Sequence, residues 1–137
     1  MKLYLCVVLF AVGLLLPVPG FTGGFDGSGP ITCAIVEIYE TVPGSQPVVQ
    51  GTAKSFNFPD FIQLDFKTKQ LIGKSKAQKT LTSPIATTQV QLGQLILHGS
   101  QQGRAWNMVI SQDSGHMTAT VAADEFAFTI FGACLPR

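Results

Sequence analysis

Charge is scarce in this sequence. Only 12% of its 137 residues are Asp, Glu, Lys or Arg, and the formal net charge is +1. A nucleic-acid partner needs a basic face for its phosphates, so no nucleic-acid partner is expected. Histidine is limited to 2 residues, too few to seat a metal unless carboxylates or thiolates converge with them. No G-x-S-x-G elbow is present, and no Lys-Ser/Thr pair directly follows the glycine-rich stretch, as a phosphate-cradling loop requires. No catalytic residue, metal or other cofactor is therefore expected, and the chain reads as not an enzyme. Cysteine occurs 3 times, as Cys6, Cys33 and Cys134. After the first twenty residues no long apolar run and no helix-period stretch appears.

Those first twenty residues read as a signal peptide. Lys2 supplies a positive start, Leu3 to Leu16 is apolar, and Pro17 breaks the run ahead of Val18-Pro19-Gly20, with small or modest residues placed for a cut after Gly20. The competing reading is a retained anchor, but the apolar run falls short of the ~20 residues a bilayer core demands. The expected protein is exported, periplasmic or secreted, with no stable membrane span after cleavage. Losing Lys2 leaves basic and acidic residues in balance. Residues 21–30 hold four glycines (FTGGFDGSGP) and read as a flexible N-terminus; residues 31–137 read as one domain.

Export also settles how the cysteines are read. Cys6 leaves with the signal, and an oxidising compartment admits one pairing of the remaining two, Cys33 with Cys134. Two separate buried thiols are the alternative.

Between those cysteines the pattern is β throughout. Ile31 to Glu40 is rich in β-branched and aromatic residues, and Thr41 to Lys54, with Pro43-Gly44 and Pro47, reads as turn and loop. In Phe61 to Phe66, Ile62, Leu64 and Phe66 face one way. Lys67-Thr68-Lys69 turns the chain into Gln70 to Lys74, and Ser75 to Ser83 reads as polar and exposed. Further strands follow at Gln94 to Gly99, Arg104 to Ser111, His116 to Ala122 and Phe126 to Leu135, separated by short Gly- and Ser-bearing turns. The alternation places Trp106, Met108 and Ile110 on one buried face with Met117 and Val121. An all-β antiparallel meander results, read as a small barrel or curled sheet of six to eight strands whose ends Cys33 and Cys134 join. A two-sheet sandwich is the alternative.

Several of these strands carry a resemblance. FIQLDFKTKQLIG, LILHGSQQGRAWNMVI, DSGHMTATV and the terminal FGAC are similar to motifs of a group of short exported bacterial proteins of uncharacterised function. The likeness runs from about Phe61 to Cys134, with Cys33 matching an early cysteine. Ala105 stands where many of the group have Gly. The resemblance implies export and a single domain, and transfers no site residue.

Candidate chemistry is thin. His98, Ser100, Asp113, Ser114 and His116 supply hydrolase residue types without a nucleophile context, and Asp113-Ser114-Gly115 already serves a turn. Asp60, Asp65, Asp124 and Glu125 are the carboxylates available for glycoside chemistry, and they read as solvated. Lys67, Lys69, Lys74, Lys76 and Lys79 gather on one hairpin and the loop after it. They suit contact with an anionic surface, or protection of an exposed strand edge. Arg104 and Trp106 share a strand face and form a possible recognition pair, although a lone Trp beside Met108 and Ile110 suits a core equally. The expected function is a non-enzymatic binding module of the cell envelope with Lys67, Lys69, Arg104 and Trp106 as the possible binding surface. Its partner would be an envelope protein or a small apolar ligand. A ligand-binding barrel or an enzyme inhibitor is the alternative, ahead of a hydrolase with an unrecognised site.

Overall fold

The computed structural model describes residues 24–44, 47–75 and 80–137. The proposed signal peptide, Lys76 and Lys79 lie outside them. Nine antiparallel strands form in chain order: β1 (Ile31–Thr41), β2 (Val49–Gly51), β3 (Phe61–Asp65), β4 (Gln70–Lys74), β5 (Thr80–Gln91), β6 (Gln94–Gln101), β7 (Arg104–Ser111), β8 (His116–Ala122) and β9 (Ala127–Pro136). From β3 to β9 each strand pairs with the next, and β9 returns to pair along the whole of β1. Eight strands thus close into a barrel, and the sandwich alternative falls away. β2 is the extra strand. It pairs with the second half of β1 at Ile38–Glu40, whereas β3 takes the first half at Ile31–Ala34. A bulge between Ile35 and Glu37 separates the two halves.

Eight strands leave an interior that side chains can fill, or that can hold one small ligand. Here period-two patterning sends Ile31, Ile38, Leu64, Leu95, Leu97, Met108, Ile110 and Met117 inward, all almost fully buried. Outward neighbours such as Asn107 and Thr118 are exposed. Cys33 and Cys134 face each other across the β1–β9 seam and are bonded, with Cα atoms 3.9 Å apart. That is closer than most disulfides, as befits directly opposed residues of paired strands.

Three expectations need correction. Ser75 to Ser83 is not uniformly exposed, because Thr80 onward belongs to β5 and Ser83 is buried. Pro84 masked that strand, yet it lies outward in β5 opposite Gln70. The stretch read as turn and loop from Thr41 to Lys54 contains β2. Residues 24–30, expected to be loose, pack against one end of the barrel instead. Phe25 is buried there, and its carbonyl accepts a bond from Gln112 Nε2 at 3.0 Å.

Turn chemistry sets the registers. Leu92-Gly93 and Gln102-Gly103 are two-residue hairpin turns with φ positive at both positions (50° and 74°, 51° and 74°). That geometry matches strand twist and calls for Gly at its second site. At the β3–β4 turn the Asp65 carboxylate accepts the amides of Lys67 and Thr68, each at 3.0 Å. These bonds, with Thr68 foremost, hold the Asp65 carboxyl below its usual pKa. A depressed carboxyl stabilises the fold above its unfolded value near 3.9, and the contribution disappears as pH falls through the folded value. Asp65→Asn should therefore flatten the loss of thermal stability below about pH 4. An unchanged acid limb of the melting-temperature profile would refute this.

Candidate functional site

Trp106 is the side chain around which the site is built. It stands on the inward face of β7 in register with Gly99 of β6 and Val121 of β8. Gly99 is what admits the indole. A Cβ there would sit 2.3 Å from Trp106 Cζ2 and 2.4 Å from the Pro84 carbonyl. Lying over bare backbone, the ring reaches β5, where Trp106 Nε1 donates to Ser83 Oγ at 2.8 Å. Ser83 is 4% exposed, the only buried polar side chain among the described residues.

Beside this pair the barrel interior is not filled. A cavity of about 120 Å³ has a floor of Ile62, Leu71, Met108, Met117, Ala119 and Ile130. Its mouth is formed by Phe58, Leu81, Gln101, Gln102 and Arg104. The opening follows from the split of β1. Where β1 parts from β3, residues 52–60 cross the gap, folded by a bond from Phe58 N to the Ala53 carbonyl at 2.8 Å. Phe56 and Phe58 from this segment pack edge-on against Phe128, with ring centroids 5.4 and 5.1 Å away. Phe126 joins them at 5.2 Å. The Arg104 guanidinium lies over the Phe126 ring, 5.4 Å from its centroid. A cation held on an aromatic face is positioned without being neutralised.

The expected binding residues therefore separate into two groups. Arg104 and Trp106 do share a face and both line the cavity, although the cation stacks on Phe126 and not on the indole. Trp106 and Val121 lie on the expected inward face with Met108, Ile110 and Met117, but both are half-buried, since the cavity takes one side of the indole. Lys67 and Lys69 sit on the β3–β4 turn, at the end of the strands opposite to the β6–β7 turn that carries Arg104. They guard no sheet edge, because β3 and β4 are each paired on both sides. Lys69 borders a second hollow, of about 290 Å³, together with Gly27, Phe66, Ile85, Ala86 and Thr88. Only Phe66 and Ile85 of those walls are large and apolar.

The remaining candidates do not converge. His98 and His116 are exposed on β6 and β8, with β7 between them. Ser114 Oγ accepts the His116 amide at 3.3 Å, so Ser114 serves the β7–β8 turn. Asp124 and Glu125 are exposed on the β8–β9 connection, and Ser100 is exposed at the end of β6. Among the described residues no three His, Cys, Asp or Glu side chains come close enough to share a metal ion. Ser83, Gln101 and the Phe56–Phe58 segment escaped the sequence reading. The alternation Leu81-Ser83-Ile85 was a usable signal for Ser83. No protein-family model, curated protein or solved structure matches this chain.

Proposed function

We propose that this protein is an exported, non-enzymatic binding module that takes a small apolar molecule into the mouth of its barrel. The observation that carries this reading is the apolar cavity beside Trp106 and Ser83. A binding site is concave and mostly apolar, with a few placed polar groups, and that description fits. Its volume limits the ligand. An apolar cavity of about 150 Å³ takes benzene, so a cavity of about 120 Å³ suits one ring or a short branched chain. Met108 and Met117 in the floor can adjust to shape, as unbranched thioethers do.

Export is supported by the Lys2–Leu16–Gly20 pattern, by the resemblance to short exported bacterial proteins, and by the disulfide, which persists in oxidising compartments. No helix among the described residues is long and apolar enough to cross a membrane.

Thermal unfolding in the presence of toluene tests the cavity. Ligand at a hundred times its dissociation constant adds about 2.7 kcal/mol to the folded state, so the melting temperature should rise with toluene concentration. Ala119, buried in the floor, provides the control. Ala119→Leu should fill the space, keep the fold and abolish the shift. No shift for the unmodified chain with toluene, benzene or indole would end the proposal.

A further inference from the structure

Resting on the cavity reading above, we infer that the ligand carries an anionic group, and that the site is built for a small aromatic or aliphatic carboxylate. Two hydrogen-bond donors at the cavity have no protein acceptor among the described residues. Ser83 Oγ uses a lone pair on the Trp106 indole, and its own hydroxyl proton finds no acceptor among the described residues. The group is 4% exposed and lines the cavity. A buried donor left without an acceptor costs free energy, and an oxygen atom entering the cavity mouth relieves that cost.

Arg104 supplies the second donor set and the charge. It sits on the same inward face as Trp106, two residues nearer the mouth. Its guanidinium rests on Phe126, and no carboxylate of the described residues pairs with it. Asp124 and Glu125 belong to the neighbouring connection but are not among the cavity walls. Gln101 and Gln102 add amide donors at the rim. A neutral apolar molecule would use none of these groups. A carboxylate just outside the apolar space meets a planar cation suited to two parallel bonds, while its hydrocarbon body lies on Met108, Met117 and Ala119.

Three probes of one shape separate charge from fit: phenylacetate, 2-phenylethanol and 2-phenylethylamine. Trp106 is the only tryptophan, so its emission reports occupancy directly. Phenylacetate should bind about tenfold more tightly than the alcohol, and the amine most weakly. Arg104→Gln should erase the preference, so that this variant binds phenylacetate and the alcohol equally, while Arg104→Lys should retain part of it. Alcohol bound as tightly as phenylacetate by the unmodified chain would overturn the anionic inference and leave the cavity reading standing. A preference that survives Arg104→Gln would overturn it too. No response to any of the three would overturn both readings.

Discussion

Loss of the Cys33–Cys134 bond should lower the stability of the folded chain by about 2–5 kcal/mol, the usual loss for a small exported domain. The two cysteines are 101 residues apart in sequence. In the chain-entropy account, tying a loop of that size is worth about 4.7 kcal/mol through the unfolded state. The native state asks little in return, because strand pairing already holds Cys33 opposite Cys134. Urea unfolding of oxidised and reduced protein measures the difference without changing a residue. Cys33→Ser should agree with the reduced protein or fall somewhat lower, since it places a hydroxyl at a fully buried position. Coincident denaturant midpoints for the oxidised and reduced forms would show the bond to be energetically idle.

Trp106→Ala should cost about 3 kcal/mol, the lower end of the range for buried aromatics. The indole is half-buried, and the cavity on one side already deprives it of some contacts. Two effects add. Packing over Gly99 is lost, and Ser83 Oγ loses its donor. Trp106→Phe separates them, because it keeps a ring above Gly99 and removes only the hydrogen bond. Its cost should be about 1 kcal/mol. A loss under about 0.5 kcal/mol for Trp106→Ala would mean that the ring contributes nothing to the core.

Much of the barrel was legible from residue order because one physical rule governed it. Where inward apolar residues recur at every second position, as in β7 and β8, the strand bounds read from the sequence coincide with those observed, and those of β4 do too. β5 was hidden because its outward positions include Pro84 and its second half, Thr87 to Gln91, is exposed on both faces. Neither face then carried an apolar row. β2 was hidden because three residues are too few to show a period, and its pairing depends on a bulge in β1. The site was harder still. Arg104 and Trp106 could be placed on one face by their spacing of two. Their partners Ser83 and Phe126 come from β5 and the β8–β9 connection, and only the curl of five neighbouring strands brings them to one place. Lys67 and Lys69 stood out because charge is rare in the chain, and rarity did not place them beside the cavity.

The β1–β9 seam also imposes an order of events in time. Pairings from β3 to β9 join strands that are neighbours in the chain, and such hairpins can form as soon as their residues exist. β1 must wait. It is synthesised first among the described strands, and its continuous partner is synthesised last of them, so one long edge of β1 stays open until β9 has been made. A contact spanning nearly the whole domain is slow to find. Formation of the Cys33–Cys134 bond, in which an added disulfide oxidant such as oxidised glutathione takes up the two electrons, therefore marks the end of assembly, and a thiol-trapping time course during refolding would read barrel closure directly.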